Sequence, residues 1–220
     1  MASRALILLL VLALSGARAG PAPGAECVAL EDFTQGAIGG FPPDWKPRKD
    51  EGRPVYSIRE EGGLRFLHAA ANRLGIQAGR EVAWNLDVYP ILVWSWRPIE
   101  FPARSDERKS SINDSALAVY AVFPGSPVSV KSLKYVWSRV VPVGTHLTSS
   151  AGNTQVRVLR TGTDKAGQWV EEQANVRDDY RKYFGVSDVP RPVGIAVLTD
   201  SDDTKSTAQG DYASFRVCKP

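Results

Sequence analysis

Hydrophobic and polar positions alternate in short runs along most of the chain, and β-branched or aromatic side chains crowd those runs. A period of two sends successive side chains to opposite faces of an extended strand. The pattern predicts strands over 27–33, 55–60, 64–70, 74–78, 91–97, 116–123, 133–140, 155–160, 193–199 and 212–218, separated by Gly, Pro, Ser and Asp clusters. Short strands at this spacing predict an all-β fold, a jelly-roll-like antiparallel β-sandwich, and not a parallel α/β sheet. One segment follows a different period. Val176, Tyr180, Tyr183 and Phe184 fall at i, i+4, i+7 and i+8, which makes one apolar stripe. Asn175 stands where an N-cap belongs, and Gly185 suits the left-handed residue that ends a helix. One short amphipathic helix is therefore predicted near 175–184. Its stripe would plug an end of the sandwich, with Arg177, Asp179, Arg181 and Lys182 in water.

The first residues suggest an address. Arg4 precedes the unbroken apolar run Ala5 to Leu14, and Ala17-Arg18-Ala19 gives the small-x-small pattern read by signal peptidase. The run is shorter than the roughly 20 apolar residues a permanent span needs. The expectation is a signal peptide over 1–19, a flexible leader over 20–26 and a single domain over 27–220. The mature chain would be a periplasmic or extracellular monomer with no membrane span. Glu26, directly before Cys27, is wrong for lipid attachment.

Charge narrows the partners. Loss of Arg4 and Arg18 with the signal takes 27 basic residues to 25, against 24 acids. Acids and bases are interleaved, as in Arg104-Ser-Asp-Glu-Arg-Lys109, which reads as a solvated loop. No basic stripe is present, so nucleic acid is not an expected partner. The two cysteines matter more. Cys27 opens the mature domain and Cys218 nearly closes it, and an even count in an oxidising compartment predicts a disulfide. That bridge would make the first and last strands neighbours; two free buried thiols are the alternative.

Chemical signatures are scarce. The chain lacks Gly-x-Ser-x-Gly, His-Glu-x-x-His, a Walker loop, Gly-x-Gly-x-x-Gly and Cys-x-x-Cys. Its two histidines, His68 and His146, have no supporting triad motif. The densest polar cluster is Thr199-Asp-Ser-Asp-Asp-Thr-Lys-Ser206, where Asp200 and Asp202 alternate as calcium ligands do. Lys205 replaces the turn glycine of an EF-hand, so a hairpin loop with self-capping Asp and Thr side chains competes with the calcium reading. No other cofactor is expected.

Aromatic pairs give the other signal. Trp94 and Trp96 share one strand face, as do Tyr135 and Trp137. They either fill the core between two sheets or line a face where flat rings stack on sugars. On the second reading Trp96, Arg97, Asp114, Lys134, Trp137 and Arg160 are the ligand-binding candidates. Asp106, Glu107, Asp114, Glu171 and Glu172 supply carboxylates for glycoside hydrolysis, if two lie across a cleft.

Ile91-Leu-Val-Trp-Ser-Trp-Arg97, Leu133-Lys-Tyr-Val-Trp-Ser138 and Gly194-Ile-Ala-Val-Leu-Thr-Asp-Ser-Asp202, with Ala118–Phe123, Val158–Arg160 and Asp179-Tyr180 between them, resemble a secreted bacterial family. It is known as domain of unknown function 3047. The family typically has Asn after the last Asp of that final motif, where this chain has Asp203. The resemblance implies no activity. Phe33, Gly36 and Pro43-Asp44-Trp45, with the acidic-aromatic last strand, also look like carbohydrate-binding jelly rolls. The leading expectation is a non-catalytic module binding a glycan or other polar envelope ligand. A hydrolase using paired carboxylates and a structural factor binding protein are the alternatives.

Overall fold

The strand order follows from where the apolar faces must meet. The protein, seen as a computed structural model that describes residues 24–126 and 129–220, has strands β1 (Cys27–Glu31), β2 (Trp45–Pro47), β3 (Tyr56–Glu61), β4 (Leu64–Asn72), β5 (Ala78–Glu81), β6 (Ile91–Glu100) and β7 (Leu117–Ser126). β8 (Ser129–Ser138), β9 (His146–Thr148), β10 (Thr154–Thr161) and β11 (Val170–Asn175) follow, then α1 (Val176–Phe184), β12 (Gly194–Leu198) and β13 (Thr207–Cys218). The first sheet runs β11-β6-β13-β4-β3, with β1 also on β13; the second runs β2-β5-β12-β7-β8-β10-β9. Neighbours pair antiparallel throughout, apart from the parallel pair β8 and β10. The fold is the predicted jelly-roll-like β-sandwich. The signal-peptide expectation over 1–19 lies outside the described residues.

The aromatic pairs fill the space between the sheets. Trp94, Trp96 and Tyr135 are fully buried and Trp137 is 1% exposed. Trp96 from the first sheet meets Trp137 from the second at 5.7 Å between ring centroids, and Trp94 meets Tyr135 at 5.6 Å. Inward residues of two facing sheets interdigitate in this way, and large rings bury the most area there. Trp96 and Trp137 are therefore core residues, and their assignment as a sugar-stacking platform is corrected.

Cys27 and Cys218 form the predicted disulfide, with a Cα–Cα separation of 4.1 Å. They face each other across the antiparallel pair β1/β13, so the first and last strands share one ladder. Removing a native bridge of this kind costs about 2–5 kcal/mol, mainly through the freedom returned to the unfolded chain.

The helix starts where capping predicts. The Asn175 side chain accepts a hydrogen bond from the Asp178 backbone N–H at 3.1 Å, and Gly185 ends the helix at φ 67°. Asp179 is not in water as expected: it is buried and pairs with Arg157 of β10 at 2.7 Å. Two further expectations shift. Residues 74–77 precede β5 as a connection, because the Leu74 carbonyl accepts from Ser201 N–H instead of joining a ladder. The 104–109 segment is not a solvated loop, since Ser105 and Asp106 are buried. The pattern missed β11, an edge strand whose Glu171 and Glu172 face Arg216 and Arg160.

Candidate functional site

Each sheet has one face turned away from the shared core, and the two outer faces differ. On the first sheet, Arg97 of β6, Asp211 of β13 and His68 of β4 lie opposite one another in register. Asp211, 1% exposed, accepts from Arg97 Nε at 2.7 Å and stands 2.7 Å from His68 Nδ1. The Arg97 guanidinium also covers the rings of Phe66 and Trp169, at 5.2 and 4.7 Å. Arg97 Nη1 also donates to Glu61 at 2.6 Å, so the guanidinium has a carboxylate on each side.

The outer face of the second sheet is a groove. Register places Lys46, Gly79, Ala196, Tyr120, Lys134, Val156 and Leu147 in one row crossing all seven strands. Leu198, Ala118, Val136 and Val158 form the next row and bury a second apolar cluster. Over β7, β8 and β10 the face holds a cavity of 540 Å³, floored by Tyr120, Lys134 and Val156. Gln77, Glu107, Arg108, Asn113, Thr148 and Thr154 wall it. A wider hollow of 880 Å³ continues over β2, β5 and β12, past Lys46, Arg48, Gly79, Glu81 and Ala196.

The 101–116 loop makes one wall, held to the sheet through Glu107 and braced within itself through Asp106. Glu107 accepts from Ser115 Oγ at 3.0 Å and Ser138 Oγ at 2.5 Å. Asp106 is gripped by Arg108, at 2.8 Å from Nε, which holds its carboxyl well below the usual range. Lys134 makes no salt bridge among the described residues. Burial works against its charge, but Tyr120, Asp200 and Glu107 outweigh that and keep its pKa raised. Its ammonium lies 5.8 Å from the Tyr120 ring centre.

The acidic loop lies at the end of the same sheet. Asp114, fully buried, accepts from Thr204 N–H and Thr204 Oγ1 at 2.7 and 2.6 Å, and from Asp203 N–H at 3.2 Å. Burial pushes the Asp200 carboxyl up to about 8; Lys134 opposes this, while Asp202 and Asp114 add to it.

The sequence candidates therefore scatter. Lys134 is in the groove and Arg97 is on the opposite outer face. Asp114 braces the acidic loop, and Arg160 closes the sandwich edge by donating to Glu172 at 2.6 Å. Arg97, Asp114 and Arg160 are corrected as members of one binding face, because each arginine pairs with a buried carboxylate and Asp114 is itself buried. The sequence reading missed Tyr120, Gln77, Asn113, Thr148 and Thr154. Tyr120 had a legible signal, since it shares strand parity with Ala118 and Val122, opposite to the core residues Leu117, Val119 and Ala121.

Comparison with solved structures returns β-sandwich proteins. A family 11 carbohydrate-binding module of the cellulosomal cellulase Lic26A-Cel5E of Clostridium thermocellum is 8% identical, covers 90% of this chain and 97% of its own, and has a TM-score of 0.48. TmCBM61, in complex with beta-1,4-galactotriose, is 10% identical over 83% and 92% of the two chains, with a TM-score of 0.42. The xyloglucanase domain of NopAA from Sinorhizobium fredii, in complex with cellobiose, is 8% identical over 80% and 96%, with a TM-score of 0.41. No curated protein matches the chain. The family model described as "Protein of unknown function (DUF3047)" matches residues 43–216, and the chain belongs to that family.

Proposed function

We propose that this is an exported, non-catalytic binding module that takes a glycan in the groove across the outer face of its second sheet. The observation that carries the reading is the groove floor, where Lys134 lies beside Tyr120 with no salt-bridge partner among the described residues, under amide and hydroxyl walls. Sugars present hydroxyls above patches of C–H, and sites for them combine a little apolar floor with convergent polar groups. The disulfide is consistent with an oxidising compartment outside the cytoplasm. Glu107 is the one carboxylate among the residues lining the 540 Å³ cavity. Glycoside hydrolysis normally uses two, flanking the scissile bond, so binding is favoured over hydrolysis.

Soluble xylan, cellobiose and β-1,4-galactotriose, titrated by calorimetry, test the reading. At least one should bind. Lys134→Ala should weaken it about tenfold or more, equivalent to about 1.4 kcal/mol. Trp96→Phe, altering the core, should leave affinity within about twofold, below the 1.4 kcal/mol of a tenfold change. Absence of binding across the panel, or equal binding by Lys134→Ala, would overturn it. Release of reducing ends by the unmodified protein would replace it with a hydrolase.

A further inference from the structure

The loop between β12 and β13 concentrates carboxylates in a way its own hydrogen bonds do not explain. Oxygens of Asp114, Asp202 and Asp203 all lie within 4.8 Å of one another. Asp200, 7% exposed, adds a buried Oδ1 that has no hydrogen-bond partner. That atom shares the space over Gly75 with Asp202 Oδ1. A Cβ placed on Gly75 would stand 2.2 Å from Asp200 Oδ1 and 2.8 Å from Asp202 Oδ1, so both oxygens converge over one glycine. Ionised carboxylates are acceptors only and cannot satisfy each other. A buried carboxyl oxygen with no donor needs either a proton or a cation beside it.

The surrounding backbone fixes this arrangement. Asp200 N–H donates to the Ser115 carbonyl at 3.0 Å and Ser201 N–H to the Leu74 carbonyl at 3.1 Å. Asp203 and Thr204 N–H groups are bound to Asp114. The charge of Lys134 is felt at Asp200 and that of Lys205 at Asp203, two cationic side chains against four acids. The donors are all hard oxygens on short side chains, with no His or Cys in the cluster. Calcium takes six to eight such oxygens in irregular geometry, whereas magnesium demands a near-ideal octahedron.

We propose that Asp200, Asp202, Asp203 and Asp114 form a calcium site that ties the β12–β13 loop to the entry of β7. It neutralises the unpartnered oxygen and locks the two chain segments together over Gly75. The site does not depend on the glycan reading, because its ligands lie outside the groove lining.

The test uses the intact protein after EGTA treatment and dialysis, melted at pH 7 in rising CaCl2, in MgCl2 and in NaCl of matched ionic strength. At calcium about a hundredfold over its dissociation constant, Tm should rise by roughly 5–10 °C, the linkage expected for a chain of this size. Asp202→Asn should abolish the rise. Asp200→Asn puts an amide donor beside Asp202, so it should fold, melt higher than the parent without calcium, and respond less to it. This second variant keeps the test decisive if Asp202→Asn does not fold. No saturable rise beyond the NaCl control, an undiminished response in either variant, or an equal response to magnesium would each overturn the assignment.

Discussion

The two outer faces carry similar residue types put to different use. On the first sheet, Arg97, Asp211 and His68 pair in register and leave little charge for anything else. On the second, Lys134 and Tyr120 floor a groove whose lysine has no salt bridge among the described residues, and Glu107 leans on two serine hydroxyls instead of a base. A polar residue on an outer face is thus not itself evidence of a site. What distinguishes the second face is a lysine held charged without an ion-pair partner.

Breaking the first face should have the largest effect. Asp211→Ala leaves Arg97 only the exposed Glu61 and takes the carboxylate from His68, and should cost about 3–5 kcal/mol in urea unfolding, the usual penalty for removing one partner of a buried charge pair. The Cys27→Ser/Cys218→Ser double variant follows, with a loss of about 2–5 kcal/mol by the same measurement, because it removes the covalent tie between β1 and β13. Lys134→Met on the second face should change stability by at most about 1 kcal/mol, the scale of a single modest polar contact. Stability unchanged in Asp211→Ala, or lost in Lys134→Met as heavily as in Asp211→Ala, would erase the contrast.

The smallest effect sharpens the groove wall. Arg108 and the Arg108 N–H hold the Asp106 carboxyl below its ordinary pKa. A depressed folded pKa stabilises above the unfolded value, near 4 for aspartate, and that gain fades as pH falls toward the folded value. Asp106→Asn should therefore lower the urea midpoint at pH 7, and the gap to the parent should shrink steadily below about pH 4. A gap that stays constant with pH would mean the charge of Asp106 does not anchor the loop.

The elements that were legible from sequence are those whose information is local. Alternation, with β-branched and aromatic enrichment where both faces are buried, located β3, β4, β6, β7, β8, β10, β12 and most of β13. The Asn175 cap and Gly185 stop framed α1, and the cysteine pair announced the β1–β13 closure. β2 and β9, three residues each, are too short to show a period, and β11 carries acids on an edge strand whose partners come from β10 and β13.

The site was less legible for a related reason. Parity states that Trp94 and Trp96 share a face, but both faces of each sheet are partly buried, so parity cannot say which one is the core. Only the packing of β6 against β8 decided that Trp96 and Trp137 lie inside and Lys134 outside. Likewise Asp114 and Asp200 are 86 positions apart, and only sheet closure brings them to one loop. Local pattern reached most of the longer strands, both helix ends, the clasp and the family. Which polar groups satisfy one another and which remain for a ligand was settled only by the fold, because that depends on pairing across distant strands.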